Sequence, residues 1–257
     1  MKLSAIVITR NEQNTIAECV RHLSFADEVL VVDNNSSDAT VTVAEKAGAR
    51  VVSYKGLDFS YLRNIGKEKA KGDWVLYVDA DERIPKELAK EIERIVKMKG
   101  KHVAYRLLRK NYYLGTPWPG HESLVRLMDK NALVGWQGSL HETAMVSGSV
   151  GELSIPFLHF THRDLTSMVA KTNEWSDVEA MLRYKAGHPY MTWWRFFRVM
   201  VSAFWKYYVE AQGWRAGTTG IIESVYQAFS MFITYAKLWE LQNKSEISQK
   251  PWDQSES

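Results

Sequence analysis

The sequence predicts an α/β fold with a mixed sheet followed by C-terminal amphipathic helices, and three observations carry that reading. Over the first hundred residues, short apolar, β-branched runs alternate with segments of helical period, the pattern of βαβ units and a largely parallel sheet. From about Val103 the runs shorten, alternate more and are separated by Gly and Pro, which indicates an antiparallel or mixed continuation of that sheet. After Asp164 the chain changes again, to long helical segments heavy in aromatic residues.

The first strand reads AIVIT, Ala5 to Thr9, and the helix after it, Asn14 to Phe25, sets Ile16, Cys19, Val20 and Leu23 on one face. Strands Glu28 to Asp33, Arg50 to Tyr54 and Asp73 to Asp79 follow, with helices over Asp38 to Ala47 and Ser60 to Ala70 between them. Pro85 opens a helix over Lys86 to Lys97, where the missing N–H of a first-turn proline costs nothing, and Leu88, Ile92, Ile95 and Val96 form its apolar stripe. The later runs VAYRLLR, LVRLMD, LVGW and AMVS read as short strands with long loops. Helices are then expected over Thr166 to Lys185, Thr192 to Gln212 and Gly217 to Leu241, with a polar, disordered tail from Gln242.

Composition sets the outer limits. With 257 residues, 46% hydrophobic and 25% charged, the chain can bury a sizeable core, which excludes disorder, collagen and coiled coil. A net charge of +3 and the absence of any like-charge block give no footprint for nucleic acid. The single cysteine, Cys19, cannot close an internal disulfide, and the opening MKLSAIVITRNE is too briefly apolar for a signal peptide, so a reducing, cytoplasmic setting is expected.

In open α/β sheets the ligand crevice lies at the carboxyl ends of the strands. Those ends are polar here: Thr9, Arg10, Asn11 and Glu12 after the first strand, Asp33, Asn34, Asn35 and Ser36 after the second, and Asp79, Ala80, Asp81 and Glu82 after the fourth. Asp79 and Asp81, separated by one small residue, can converge on a hard divalent cation whose other positions are filled by water and phosphate oxygens. Acidic pairs after strands also serve as helix caps. Acidic groups at three ends of one sheet, with Arg63 and Asn64 on the helix leading into the fourth strand, favour a site over caps.

The runs VITRNEQNTIAECVRHL, ADEVLVVDNNSSDAT and YLRNIGKEKAKGDWVLYVDADERI resemble family 2 glycosyltransferases with the GT-A fold. The segments GTPWPGHESLVRLM, GSLHET, LHFTHRD and QGWRAGTTGIIESVYQAFSMFITYAKLWEL are similar to the branch that includes lipopolysaccharide core glucosyltransferases. The resemblance implies a UDP-sugar donor, with Thr9 and Glu12 at the uridine base and ribose, Asp33 pairing with the base, and Arg63 near uracil or phosphate. It implies Mn²⁺ or Mg²⁺ at Asp79 and Asp81, so that Asp79 also belongs to donor binding. The acidic dyad before an aromatic segment and the Gln-x-x-Arg-Trp motif of processive synthases are both missing, and His141-Glu142 stands in their place. An inverting transfer needs one general base for the acceptor hydroxyl. Glu142 has the right group, with His141 as a second candidate or its orienting partner.

The expected organisation is a catalytic domain over 1–163, with a nucleotide-binding half 1–100 and an acceptor half 101–163, a membrane-proximal helical region 164–241 and the tail 242–257. His159 and His162 in HFTH make an incomplete zinc set and read as structural or acceptor-loop histidines. Seven of the ten tryptophans follow residue 174, and Trp193 to Tyr208 mixes large aromatics with Arg195, Arg198 and Lys206, which suits an anionic membrane surface. The stretch 216–236 carries one charge, Glu223, and reads as peripheral on the inner face of the cell membrane rather than spanning it. Lys171 is a candidate acceptor contact. The leading expectation is an inverting hexosyltransferase acting on a glycolipid, a lipid-linked or a lipopolysaccharide-core saccharide. A polyprenyl-phosphate acceptor is one alternative. A sugar nucleotidyltransferase is another, although Thr9 to Asn14 lacks the glycines of a triphosphate loop, and a non-enzymatic membrane-binding protein is the last.

Overall fold

In the computed structural model the described residues are 2–56, 59–98, 100–138 and 142–244. The chain divides into two compact units, one of Met1–Asn111 with His121–Phe160 and one of Tyr112–Gly120 with Thr161–Ser257. His141 and most of the expected tail, residues 245–257, lie outside the described residues.

The first unit is built on β1 (Leu3–Thr9), β2 (Glu28–Asp33), β3 (Arg50–Ser53) and β4 (Trp74–Asp79), all parallel, alternating with α1 (Ile16–His22), α2 (Thr40–Lys46) and α3 (Phe59–Lys69). After the two-residue strand β5 (Glu82–Arg83) and α4 (Lys86–Lys97), the chain adds β6 (Ala104–Tyr113), β7 (Thr116–Pro117), β8 (Glu122–Asp129), β9 (Leu133–Gln137), β10 (Thr143–Val146) and β11 (Val150–Thr161). The sheet runs β3-β2-β1-β4-β8-β6-β11-β5, and β9 and β10 form a separate hairpin. Strand β8 joins β4 antiparallel, which makes the sheet mixed as expected.

All seven positions of β1 are buried, as befits a central parallel strand covered on both faces. Leu3, Ala5 and Val7 meet α1 and α4 through Ile16, Cys19, Val20, Leu88 and Ile92, whereas Ile6 and Ile8 meet α3 through Leu62 and Ile65. Helix α3 lies so close to β1 that a Cβ on Gly66 would come within 2.6 Å of the Ile6 side chain. Cys19 is fully buried with its Sγ 3.6 Å from the Asp79 carbonyl, and burial pushes its thiol far above the ordinary range.

Strand β11, which carries most of HFTH, is a strand that the sequence pattern does not announce. Its first residues alternate buried and exposed, but Pro156, which cannot donate to a ladder, sits mid-run and disguises the strand. Pairing of His159 with Glu82 across β11 and β5 brings the histidine beside the fourth strand's acidic end.

The second unit contains α5 (Leu165–Lys185), α6 (Trp193–Trp205), a π turn (Lys206–Glu210), a 3-10 turn (Gly213–Ala216) and α7 (Gly217–Gln242). Asp164 caps α5 by accepting from the Ser167 N–H at 2.8 Å. Ala180, Met191, Val199, Tyr235 and Leu238 form the core shared by the three helices. Glu223 is fully buried in α7. Its carboxylate lies 2.9 Å from His162 Nδ1 and accepts from Gln227 at 2.7 Å, which is why a charge sits in so apolar a stretch. No helix among the described residues is long and apolar enough to cross a membrane.

Candidate active site

Strand register puts the expected residues on one edge. Thr9 lies opposite Asp33 in the β1–β2 ladder, and Ile8 lies opposite Asp79 in the β1–β4 ladder. The chain leaves β1 toward β2 on one side and returns as β4 on the other, so this edge is the topological switch point where α/β sheets form ligand crevices.

The loops after β1 and β2 are stitched together. Ser36 Oγ accepts from the Asn11 N–H at 2.9 Å, Asn11 Oδ1 accepts from the Ser37 N–H at 2.8 Å, and Thr40 Oγ1 accepts from the Glu12 N–H at 2.8 Å. Asn11 and Asn35 both adopt φ of 54°, a left-handed conformation that asparagine tolerates better than most residues. The Asp33 carboxylate is buried and turned onto Ser36, accepting from its N–H at 3.0 Å and from its hydroxyl. Glu12 accepts from the Thr15 hydroxyl at 2.8 Å, whereas the Thr9 hydroxyl is buried with no hydrogen-bond partner.

Asp79 is the centre of a charge network. Arg63 Nη2, from α3, donates to its Oδ1 at 3.0 Å, and Arg126 Nη2, from β8, donates to its Oδ2 at 2.9 Å. Burial alone would raise the Asp79 carboxyl, but the Arg126 and Arg63 guanidinium groups overcome it and hold the group well below the usual carboxylate range. Arg126 also donates to Glu82 Oε1 at 3.0 Å, and Glu82 Oε2 accepts the Asp79 N–H at 2.8 Å. Glu82 has no exposed surface: burial lifts its carboxyl, Arg126 pulls against that, and the neighbouring Asp79 charge adds to it. Arg109 extends the chain of charges from Glu82 to Glu122.

Glu142 joins the same group. Its Oε1 lies 3.6 Å from Arg63 Nε, so one guanidinium spans Glu142 and Asp79. Strand β9 is fastened to α3 through Asn64, whose Oδ1 accepts from the Trp136 N–H at 2.8 Å and whose Nδ2 donates to the Trp136 carbonyl at 3.0 Å. The Trp136 ring lies under the Arg63 guanidinium, 4.9 Å from its centroid, and meets Tyr77 edge-on at 4.8 Å.

Asp81 faces His159, with Oδ2 and Nε2 3.5 Å apart. Asn111 donates from Nδ2 to Glu122 at 2.7 Å, which leaves its Oδ1 to accept from His159 Nδ1 at 2.8 Å. That assignment makes Nδ1 the donor to Asn111 and turns Nε2 toward the Asp81 carboxylate. An imidazole nitrogen beside a carboxylate is a donor set a divalent metal accepts. Among the described residues no third protein ligand joins them, so water and phosphate oxygens would complete the shell. The five carboxylates of Asp79, Asp81, Glu82, Glu122 and Glu142 face three arginines, a surplus of negative charge that also fits a cation.

Thus Thr9, Asp33, Arg63, Asp79, Asp81 and Glu142 are all brought to this edge or its rim, with Glu12 in the loop that follows. Lys171 is instead exposed on α5 in the second unit. Sequence reasoning missed Arg126 and its pairing with Glu82, Asn64 as a clasp, and His159 as the partner of Asp81. Arg126 had a signal: a cation at an inward position of the apolar strand LVRLM needs buried acids.

Residues 4–145 match the family model described as Glycosyl transferase family 2. The chain is 28% identical over 262 residues to an uncharacterized glycosyltransferase of Rickettsia conorii, covering 95% of this chain and 92% of that one. It is 26% identical over 255 residues to the lipopolysaccharide core biosynthesis glycosyltransferase LpsC of Rhizobium meliloti, covering 93% of both. Residues 1–349 of TarS from S. aureus, solved in complex with UDP-GlcNAc, are similar with a TM-score of 0.50 at 16% identity, over 95% of this chain and 92% of that one. The sheet, its flanking helices and the helical C-terminal region are those of the GT-A fold. The chain belongs to glycosyl transferase family 2 and is a glycosyltransferase.

Proposed function

We propose that the protein is an inverting, metal-dependent hexosyltransferase that moves a hexose from a UDP-sugar to a hydroxyl of a lipid-linked or lipopolysaccharide-core saccharide. The observation that carries this reading is the convergence of Glu142, Arg63 and Asp79 beside the Asp81–His159 pair at one sheet edge. The relative named for lipopolysaccharide core biosynthesis supports the acceptor class. The proposed catalytic domain over 1–163 contains these five residues. Family membership removes the nucleotidyltransferase alternative.

Asp81 would hold Mn²⁺ or Mg²⁺ together with His159 in place of the expected Asp79, whose two oxygens accept from Arg63 and Arg126, and the metal would neutralise charge developing on the leaving diphosphate. Arg63 is positioned to meet diphosphate oxygens, since its buried Nη1 has no hydrogen-bond partner while Nη2 is committed to Asp79. Glu142 takes the acceptor proton as the hydroxyl attacks, and Arg63, fixed over Trp136, keeps the carboxylate in place. Thr9 and Asp33 face the nucleoside, with the unpartnered Thr9 hydroxyl free to bond it.

Calorimetric titration of UDP tests the donor half. Binding is expected to be tight only with Mn²⁺ or Mg²⁺, Asp81→Ala to remove that dependence, and Asn111→Ala, which unseats His159, to weaken metal-supported binding by about 10- to 100-fold. Equal UDP affinity in manganese and in chelator sinks the metal reading. Asp33→Ala is expected to weaken UDP binding by about 1 to 3 kcal/mol. Unchanged affinity in a folded variant leaves Asp33 as the residue that closes the Ser36 turn and nothing more.

A further inference from the structure

We propose that α6 is a membrane-docking helix that lies in the plane of an anionic lipid bilayer, a role independent of the donor and acceptor chemistry above. Trp193, Phe197, Val201 and Trp205 recur every four residues along one side of the helix, and three of them are 83%, 70% and 56% exposed at Trp193, Phe197 and Trp205. Trp194 and Met200 widen the stripe. The opposite side is already occupied, because Val199 is buried in the core formed with Ala180, Tyr235 and Leu238, and Ala203 is buried beside it. Nothing in the fold of this unit therefore requires large rings on the outer side, and a contiguous apolar stripe of this kind marks an interaction surface.

Charge selects the partner. From Trp193 to Val209 there is no acidic residue, while Arg195, Arg198 and Lys206 flank the stripe. The Arg195 and Arg198 guanidinium groups lie 5.2 and 5.6 Å from the Trp194 ring centroid, so the cations are held at the level of an indole. Indole with guanidinium at one depth is the arrangement suited to lipid headgroups, rings among the upper acyl chains and cations on phosphates. A second copy of the chain fits less well. Symmetric pairing through this face would gather six cations into one interface to which neither copy's Trp193 to Val209 segment brings an acid. Length rules out spanning: 13 residues of helix extend about 20 Å, short of the roughly 30 Å hydrocarbon core.

Flotation of the full-length protein with phosphatidylcholine vesicles, with and without phosphatidylserine, tests the assignment. The wild type is expected to float with the phosphatidylserine vesicles. Replacing Arg195, Arg198 and Lys206 together by Gln is expected to lower that partitioning about a hundredfold and leave a residue insensitive to salt. Trp193→Ser with Phe197→Ser is expected to reduce binding to both vesicle types. UDP binding by each variant, expected to match the wild type, shows that the fold is intact and separates this result from the fate of the proposed reaction. A wild type that stays unbound with both vesicle types overturns the proposal, as do variants that float equally well. A concentration-dependent dimer in sedimentation that Trp193→Ser abolishes also overturns it, in favour of an interface between copies.

Discussion

Turnover of Glu142→Gln is expected to fall by about two to four orders of magnitude while nucleotide-sugar affinity stays near that of the wild type. The substitution preserves shape and removes only the proton acceptor. Its neighbourhood makes the outcome specific: Glu142 lies 3.6 Å from Arg63 Nε, and Arg63 in turn holds Asp79, so the carboxylate sits beside the charges of the donor site. Initial rates with saturating donor, set against donor binding measured separately, provide the check. Retention of more than about a tenth of wild-type turnover rules out Glu142 as the base. It would point to a phosphate acceptor, which needs little help with its proton, or to His141.

Arg126→Leu is expected to destabilise the protein by about 3 to 5 kcal/mol, the scale for leaving buried charge unpaired. Arg126 is buried and serves Asp79 and Glu82 from one nitrogen, so its loss leaves buried Glu82 with only Arg109, at 3.5 Å, and the Asp79 N–H, and leaves Asp79 with Arg63 as its remaining arginine. The exposed pair Lys237–Asp177, at 2.8 Å, is the control and is expected to contribute under about 1 kcal/mol. Denaturant unfolding measures both. A double variant that also replaces Glu82 with Leu is expected to recover part of the loss, since one under-paired buried charge is gone. The pH dependence has a definite sign. Because Asp79 is held below the ordinary carboxylate range, its contribution is full above about pH 4 and drains away in more acid solution. In Arg126→Leu that acid limb is flatter.

The parallel half of the fold was legible because its strands are buried on both faces and read as continuous apolar runs, ending where the polar residues begin. Register then needed no further information to align Thr9, Asp33 and Asp79. The antiparallel half was harder. Strand β11 hides behind Pro156, and with it the approach of His159 to Asp81. Long-range pairs such as Arg126 with Glu82, or Asn64 with Trp136, have no local signature, because each partner taken alone is an ordinary polar residue. Glu142 is a candidate through the family resemblance together with the single base an inverting transfer demands, whereas its ion pair with Arg63, a residue expected near the donor, became visible only once α3 and the residue ahead of β10 were side by side.

Cys19, the one cysteine of the chain, is sealed under β4, and its thiol is held far from ionisation. Alkylating dyes react with thiolates, so the native protein is close to inert toward maleimides. A cysteine introduced at an exposed site is then labelled alone, without removing a native thiol first. An environment-sensitive fluorophore at position 197 would report the polarity around α6, and one placed near the end of β1 would report donor binding, each against a silent background.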